Sequence, residues 1–380
     1  MAARKQTGTP KNRGYRTFMY LDVDRVPDME FGYWPQTIRG WVPQGFPKEL
    51  ADQLGESMFN QKFNDFIGLD TGEGGAGISL NLGMNPAFET KVIEEDELTQ
   101  TARGGDGIVA RRWKGGVQES SIPQYLEFPV KNRADWEGMK ERYRLDDAVR
   151  KLSQDSFEQA RKAAADGWTV WCGACGFYGA LRNWVGTENL SYLFYDDPAL
   201  VHEMAEHWAE LALTGLRQVP ADVPIHQFGW WEDMAYKGGP LVSPRVFDEF
   251  FVPCYMAVMD EARKHGCTLS TVDCDGNIHD LVPGWMKTGV NIMFPCEVAA
   301  GTDMFRMRRE FGRDVRLQGG VDKKALARGR KAIDAELKRI APLLEEGGFV
   351  PHLDHLVPPD ISFDNYLYYR ERKKKLIGKA

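Results

Sequence analysis

Short apolar runs alternate along the chain with longer stretches whose apolar residues recur at helical spacing. Each short run ends in polar or glycine residues, which is typical of a strand that leads into a loop. Strands that alternate with helices indicate an α/β fold with a parallel sheet. Eight stretches show the strand pattern: 25–32, 65–70, 168–176, 224–233, 267–276, 290–297, 315–323 and 348–355.

Eight such strands predict a single (β/α)8 TIM barrel. The alternative is an open, doubly wound sheet, which is less favoured because no glycine-rich dinucleotide fingerprint follows the first strand. The helical stretches have recognisable ends. Residues 188–218 predict two helices that break near Asp196–Pro198, and residues 243–266 predict a helix that begins at a serine cap.

The stretch 71–167 is longer than one strand-and-helix unit requires, and we interpret it as an insertion between the second and third strands that caps the barrel mouth. Its first residues, TGEGGAG (71–77), lack the lysine and the serine or threonine of a phosphate-binding loop, so they predict a flexible lid or a simple connector. Residues 1–16 carry five basic residues and no acid, which predicts a disordered basic arm. Residues 17–380 then form the barrel domain.

The composition narrows the function. The net charge is −7 in 380 residues, which argues against a nucleic-acid partner. No apolar run reaches the length of about 18 residues that a membrane span needs. The six cysteines lie within apolar runs rather than at the spacings of a disulfide framework, which favours a cytoplasmic location. Aromatic residues reach 12%, which suits either a large core or a pocket for a flat ligand.

The predicted strands carry acidic residues at their carboxyl ends, where TIM barrels place their chemistry. Mutual repulsion there costs stability unless a metal ion, a cationic substrate group or protonation relieves it. The acids are Glu30, Asp70, Glu232, Asp233, Asp273, Asp275, Glu297, Asp322 and Asp354.

The segment STVDCDGNIHD, residues 270–280, concentrates these acids. Residues two apart on a strand project to the same face, so we expect Asp273 and Asp275 to point into the mouth together. His355 ends the last predicted strand, across the mouth. Two carboxylates and one imidazole form a three-ligand set for Zn²⁺, Mn²⁺ or Fe²⁺ with an open position. Direct polar contacts to a substrate, or an Asx-type structural turn at Asp275–Gly276, are the alternatives.

Two further strand ends offer catalytic groups. Glu297 stands beside a glycine-rich turn and is a candidate general acid or base, or alternatively a helix cap. The sequence WWED (230–233) combines two aromatic rings with two acids. Trp230 and Trp231 are a candidate platform for a flat substrate, with packing in the core as the other interpretation.

Five stretches carry a family resemblance. They are RVPDMEFGYW (25–34), GPLVSPRVFDEFFVPCYMAVMDEARKHG (239–266), VDCDGNIHDLVPGWMKTGVN (272–291), GGVDKKALARG (319–329) and HLDHLVPPDISFDNYLYY (352–369). They resemble the uroporphyrinogen decarboxylase superfamily, whose members fold as a single TIM barrel. Those members either remove acetate carboxyls from a tetrapyrrole without a cofactor, or move methyl groups to or from a corrinoid protein, often with Zn²⁺.

The sequence departs from the decarboxylases of this superfamily at the first strand. Those enzymes hold substrate carboxylates with a Met-Arg-Gln-Ala-Gly-Arg motif, whereas MEFGYW (29–34) places Glu30 and Trp34 at the two arginine positions. An acid at such a position would repel a polycarboxylate substrate. The resemblance therefore favours the methyltransferase branch over uroporphyrinogen decarboxylation.

The zinc methyltransferases of the superfamily carry His-x-Cys-Gly-Asn on the fifth strand and a cysteine on the last. Alignment on Gly276–Asn277 places Asp273 and Asp275 at the first two ligand positions, and His355 falls near the third. This harder ligand set does not favour a thiol acceptor, because zinc activation of a thiol prefers thiolate-rich ligation.

The resemblance implies a methyltransferase that demethylates a small methylated substrate, such as a methoxylated aromatic compound, and passes the methyl group to a corrinoid protein. It implies a corrinoid (cobalamin) cofactor carried by that partner, zinc or another divalent metal as an option, and a homodimer. The implied catalytic residues are Glu297, Asp233 and Glu232; the substrate-binding residues are Glu30, Tyr33, Trp34, Trp230, Trp231, Asn277 and Asp354; the metal ligands are Asp273, Asp275 and His355.

Two other functions stay open from the sequence. A cofactor-free decarboxylase of a porphyrin or non-porphyrin acid would release carbon dioxide without any corrinoid. A non-catalytic module that binds a tetrapyrrole or a corrinoid would shift the visible band of cobalamin but would show no turnover.

Overall fold

The computed structural model describes residues 9–54, 61–70, 74–114, 122–146 and 148–379. The described strands are β1 Gly75–Ile78, β2 Lys91–Glu95, β3 Thr99–Arg103, β4 Val109–Trp113, β5 Gln124–Glu127, β6 Thr169–Cys175, β7 Gln227–Trp231, β8 Ala235–Tyr236, β9 Gly239–Pro240, β10 Leu269–Asp273, β11 Ile292–Phe294, β12 Arg316–Val321 and β13 Phe349–Leu353.

A parallel sheet of seven strands forms the centre of the protein, in the order β1-β6-β7-β10-β11-β12-β13. Spatial order follows chain order, so each strand pairs with the next parallel strand along the sequence. Strands β2 to β5 form a separate antiparallel sheet between β1 and β6 in the chain, and β8 pairs with β9. Helices connect the parallel strands, as parallel pairing requires.

The α-helices are α1 Arg13–Phe18, α2 Pro35–Trp41, α3 Lys48–Leu54, α4 Gln61–Ile67, α5 Arg133–Lys140, α6 Gln154–Ala165, α7 Phe177–Val185, α8 Thr187–Asp196, α9 Pro198–Leu216, α10 Pro244–Val246, α11 Val252–Lys264, α12 Val282–Thr288, α13 Met304–Phe311, α14 Lys323–Ala327, α15 Arg330–Glu346 and α16 Phe363–Leu376. A π-helical turn, Phe247–Phe251, precedes α11. Among the described residues, none of these helices combines the length and the apolar character needed to cross a bilayer.

The predicted α/β class with a central parallel sheet is confirmed, and six of the predicted strands correspond to β6, β7, β10, β11, β12 and β13. The helix break near Asp196–Pro198 is also confirmed, because the Asp197 side chain accepts a hydrogen bond from the Leu200 N–H and starts α9. Ser243 is the predicted serine cap, and it accepts from the Val246 N–H.

The predicted strand at 65–70 is wrong. Its first residues end α4, because Phe63 and Ile67 lie four residues apart and bury one side of a helix. The strand is β1 instead, which lies in the glycine-rich stretch that we interpreted as a lid or connector. Glycines carry no side chain, so the pattern of apolar residues gave no indication of this strand.

Residues 25–32 also differ from the prediction, because they form no strand within the described residues. Their alternation of apolar and polar residues has another cause, since Asp28 and Glu30 face α16 rather than solvent. One parallel bridge, between Tyr33 and Val357, joins this segment to the residues after β13.

The predicted basic arm is only partly within the described residues, since residues 1–8 lie outside them. Residues 9–16 are ordered rather than disordered, and they include the start of α1. The buried Asn12 side chain donates to the Gly74 carbonyl oxygen at 2.8 Å and accepts from the Thr169 N–H at 2.8 Å. This amide therefore fixes the arm to the starts of β1 and β6.

The parallel sheet has two different faces. The outer face packs against the helices, as the burial of Phe228 and Trp230 against α7 and α11 shows. Side chains alternate along a strand, so the residues between them form the inner face. At the beginning of the strands, Phe18 of α1 covers this face. The inner face carries Trp171, Gly173 and Cys175 of β6; Gln227, Gly229 and Trp231 of β7; Leu269, Thr271 and Asp273 of β10; and Ile292 and Phe294 of β11.

A buried ion cluster joins residues 25–33 to α16. Arg370 donates to both carboxylate oxygens of Asp28, at 2.7 and 2.6 Å, and Lys373 Nζ donates to Glu30 Oε1 at 2.7 Å. Burial acts to raise the pKa of Glu30, but the Coulombic attraction of Lys373 and Arg370 holds that pKa below its usual value. The buried cations of the cluster therefore keep its buried carboxylates ionised.

We expect Lys373→Met to lower the free energy of unfolding by about 3–5 kcal/mol, because the buried Glu30 carboxylate loses its nearest cation. Lys375→Met is the matched control two residues further along α16. Its ammonium pairs with Glu371 at the surface, where ion pairs contribute little. Urea unfolding followed by tryptophan fluorescence measures both variants, and equal midpoints would contradict the structural role of the cluster.

Candidate active site

Four side chains lie at one level on the inner face, near the carboxyl ends of the strands. The register pairs Cys175 with Trp231, Trp231 with Asp273, and Asp273 with Phe294. Because neighbouring strands are about 4.8 Å apart, the Asp273 carboxyl stands between an indole and a phenyl ring.

Asp273 is an acid without a compensating cation. Among the described residues its carboxyl has no hydrogen-bond or ion-pair partner, whereas its backbone carbonyl oxygen accepts from the Glu232 N–H at 2.9 Å. Burial raises its pKa to about 8, and the nearby carboxyls of Asp233 and Asp275 contribute to the increase. The side chain is therefore a neutral carboxylic acid at neutral pH, able to donate a hydrogen bond.

The carboxyl groups of Asp233 and Asp275 lie near the Asp273 carboxyl. The Asp275 N–H donates to Asp233 Oδ1 at 3.2 Å, and Asp275 Oδ2 lies 3.2 Å from His355 Nε2. Arg182 donates to the Asp233 carbonyl oxygen at 2.8 Å. Asp233 has a φ of 47°, in the left-handed region, so this arginine contact helps to hold an unfavourable backbone conformation. Burial raises the pKa of Asp233, with Asp275 adding to the shift.

His355 connects the acids to the aromatic residues. Its ring is stacked with Trp34, with centroids 6.1 Å apart, and it meets Phe31 edge to face at 5.6 Å. Phe31 in turn contacts Phe294 at 4.6 Å. Trp34 therefore lies close to the acids, as predicted for a substrate-binding residue.

The predicted metal ligands do not fit a metal centre in this arrangement. Within the described residues, no group of three or more His, Cys, Asp or Glu side chains is placed to hold an ion. Asp275 and His355 pair with each other, whereas the Asp273 carboxyl is hydrogen-bonded to neither of them. The buried Asp275 Oδ1 has no hydrogen-bond partner among the described residues.

Glu232 lies on the other face of the sheet. It accepts hydrogen bonds from the Tyr178 and Gly179 N–H groups at 3.2 and 2.9 Å and from the Tyr255 hydroxyl at 2.8 Å. Burial raises its pKa to about 7, although these donors oppose the shift. A Cβ at Gly176 would overlap the Glu232 carboxylate. Glu232 thus fixes the start of α7, and Trp230 packs near it against Tyr255.

Glu297 and Asp354 hold the loops after the strands together. Glu297 accepts from the Gly276 N–H at 3.0 Å and from Lys323 Nζ at 2.7 Å. The buried Asp354 accepts from the Lys323 and Ala299 N–H groups at 3.0 and 3.1 Å. These bonds occupy the carboxylate oxygens of both residues, so the geometry gives both of them a positioning role.

Three of the predicted substrate-binding residues lie in different parts of the structure: Asn277, Glu30 and Tyr33. Asn277 lies at the rim, where its N–H donates to the Tyr236 carbonyl oxygen at 3.0 Å. Glu30 belongs to the buried ion cluster. The Tyr33 hydroxyl lies 2.5 Å from the Tyr366 hydroxyl in the core, so Glu30 and Tyr33 both face α16 and not the acids around Asp273.

Sequence reasoning missed Phe294, Phe31, Arg182 and Lys323. The two-residue spacing between Ile292 and Phe294 on β11 could have shown that both side chains lie on the same face of the sheet. Arg182 and Lys323 gave no signal, because each binds an acid on a distant segment.

We expect Asp273→Asn to become more stable relative to the wild type as the pH rises from 5 to 8. Between its usual value of 3.8 and about 8, Asp273 binds a proton in the folded state but not in the unfolded state, so wild-type stability decreases with pH in this window. Asparagine does not titrate. The difference in Tm should increase by about 5 °C over these three pH units and then level off above pH 8. A difference that is independent of pH in thermal scans would contradict the protonated acid.

A solved structure shares the fold at low sequence identity. A methyltransferase from Methanosarcina mazei is 13% identical, with a TM-score of 0.56, and the match covers 96% of this chain and 99% of that chain. A B12-independent methionine synthase from Shewanella sp. W3-18-1 is 12% identical over 59% of this chain and 66% of that chain, and its TM-score, 0.33, is too low for a statement about the fold. None of the curated proteins matches the sequence.

The family model described as Uroporphyrinogen decarboxylase (URO-D) matches residues 116–375. This range holds β6 to β13, Asp273 and the acids around it. Because the match covers more than half of the sequence, the chain belongs to the uroporphyrinogen decarboxylase family.

Proposed function

We propose that the protein is a methyltransferase that removes the methyl group of a small methoxylated aromatic substrate and transfers it to a corrinoid protein. The observation that carries the proposal is Asp273, a neutral acid that stands between Trp231 and Phe294. The fold, which the M. mazei methyltransferase shares, is compatible with this chemistry.

Asp273 acts as the general acid in the proposed reaction. Its carboxyl donates a hydrogen bond to the ether oxygen of the substrate. As the bond between this oxygen and the methyl carbon breaks, negative charge develops on the oxygen, and the Asp273 proton moves to it. The products are a phenol and an Asp273 carboxylate, which takes a proton from water to complete the cycle.

A reduced corrinoid on the partner protein supplies the nucleophile that accepts the methyl group. The rim offers a suitable surface for a flat macrocycle, because the Tyr236 side chain is 56% exposed beside Asn277. No metal-dependent step is included, since Asp273, Asp275 and His355 are not arranged as ligands.

The other predicted residues support this acid. Asp233 and Asp275 keep the Asp273 pKa high, and Arg182 limits the total negative charge. Glu232 and Glu297 position the strand ends rather than react. Trp34 and Trp231 are the proposed aromatic walls of the substrate site.

The proposal extends to the architecture and the setting of the protein. The segment near Tyr33, bridged to Val357, would take the eighth position of a closed (β/α)8 barrel, with the β2–β5 sheet in an insertion at its mouth. All six cysteines are free thiols, which supports a cytoplasmic location. We also propose a homodimer, on the resemblance alone.

The family match favours a second candidate, a cofactor-free decarboxylase. A neutral Asp273 is equally able to protonate the carbanion that remains after loss of carbon dioxide. A polycarboxylate substrate is disfavoured, because Trp34, which stacks on His355 beside the acids, occupies the position of an arginine that would bind it. Release of carbon dioxide from an acid without corrinoid would distinguish this candidate.

We expect Asp273→Asn to reduce kcat for demethylation by about 10²–10⁴-fold, because the departing oxygen loses its proton donor. The assay mixes the protein with chemically reduced cobalamin and 1,2-dimethoxybenzene and follows the absorbance of methylcobalamin. Asp280→Asn, which changes an exposed acid seven residues away, is the control and should retain the wild-type rate. Full activity of Asp273→Asn would refute the assignment.

The pH profile gives an independent test. The acid form of Asp273 is required, so kcat/KM should be constant below pH 8 and should fall about tenfold per pH unit above it. Asp273→Asn should show a low rate without this alkaline limb. An alkaline limb that persists in the variant would assign the titration to another group.

A further inference from the structure

The inner face has open space directly below Asp273. The register places Gly173, Gly229 and Thr271 at one level, so two neighbouring strands carry no side chain there. A Cβ at Gly173 would lie 2.6 Å from the Gly229 carbonyl oxygen, so the close approach of β6 and β7 requires that glycine. A Cβ at Gly229 would come no nearer than 4.0 Å to any other described atom, the Cys172 carbonyl oxygen. Gly229 therefore faces space rather than a neighbour.

Two tryptophans border this space. Trp171 lies one inner-face position before Gly173 on β6, and Trp231 lies one position after Gly229 on β7. Both strands are paired on each side, yet the side chains are 56% and 41% exposed. Their outer-face neighbours Val170 and Trp230 are almost completely buried. Large apolar groups exposed on the concave side of a molecule commonly mark a ligand site.

The dimensions suit one planar ring. The Trp171 and Trp231 positions are four residues apart in register, which corresponds to about 13 Å along the strands. Gln227 and Thr271 border the same space, where Gln227 Nε2 donates to Thr271 Oγ1 at 2.7 Å. This bond leaves that wall without a charge, as the binding of a neutral arene requires.

We infer that Trp171, Gly229 and Trp231 form a slot for the benzenoid ring of the substrate, and that Gly229 determines how large a ring can enter. This inference rests on the proposed function. Asp273 follows Thr271 by two residues on the same face of β10, about 7 Å further along the strand. A ring at the level of Gly229 thus brings its methoxy oxygen to the Asp273 carboxyl.

Gly229→Leu tests the slot, because it fills the space without a backbone collision. Binding of 1,2-dimethoxybenzene to the full chain, measured by calorimetry without corrinoid, should weaken at least tenfold. Gly138→Leu makes the same change at an exposed position of α5 with no atom within 4 Å, and it should bind like the wild type. Trp171→Ala should weaken binding about tenfold through the loss of ring contacts. This second variant decides the question if the leucine variant does not fold.

These measurements test the slot independently of the proposed reaction. Ring binding that is lost in Gly229→Leu and Trp171→Ala supports the slot even if no methyl transfer occurs. Methyl transfer with an unchanged KM for the arene in both variants would overturn the slot and leave the reaction standing. Failure of the wild type to bind the arene would also overturn it. 1,2-Dimethoxyethane, a neutral ether without a ring, should respond to neither substitution.

Discussion

The register of four parallel strands decides which side chains of this protein can meet. It brings Cys175, Trp231, Asp273 and Phe294 to one level, and it places two glycines at the level below. A shift of one residue would turn Asp273 to the outer face, where its carboxyl would be buried among apolar side chains. The register is well specified because Phe228, Trp230 and Val272 bury the outer face. Packing on one face of the sheet thus fixes the chemistry on the other.

Buried carboxyls in this fold have opposite pKa shifts, and their neighbours explain the difference. Burial acts to raise the pKa of every one of them. Around Asp28 and Glu30, Lys373 and Arg370 outweigh burial and keep the groups ionised. Around Asp273, the nearest charges are Asp233 and Asp275, which add to the effect of burial. The first pair of acids ties α16 to the body of the protein, and the second environment creates a proton donor.

The sequence predicted what depends on local pattern. Six strands and the helix caps at Asp197 and Ser243 were readable because apolar spacing and capping are properties of neighbouring residues. β1 was not readable, because a strand of glycine and alanine has no apolar pattern. Asp28 and Glu30 produced the alternating pattern of a strand. The true cause of this pattern, their pairing with α16, was hidden because their partners lie more than 300 residues away.

The same distinction applies to the candidate site. Two-residue spacing identified Asp273 and Asp275, and the WWED segment identified Trp231. The sequence pattern could not show that Glu232 faces the helices. Alternation separates the two faces of a strand, but it does not say which face packs against α7. It could not reveal Arg182 or Lys323, whose acidic partners come from other strand ends. Burial and long-range charge, which raise the pKa values of Asp233 and Asp273, are properties of the folded chain alone.

The charge state of Asp273 also constrains the substrate. A neutral acid needs an acceptor, and an ether oxygen or a carbonyl provides one without adding charge. A polycarboxylate would bring further negative charge next to Asp233 and Asp275, and Arg182, which could oppose it, is already bound to Asp233. Such a ligand would raise the Asp273 pKa further and lose affinity as the pH rises. Electrostatics and the residue at position 34 thus disfavour the same substrates for independent reasons. Under the proposed function, this site therefore suits a neutral arene better than a porphyrin acid.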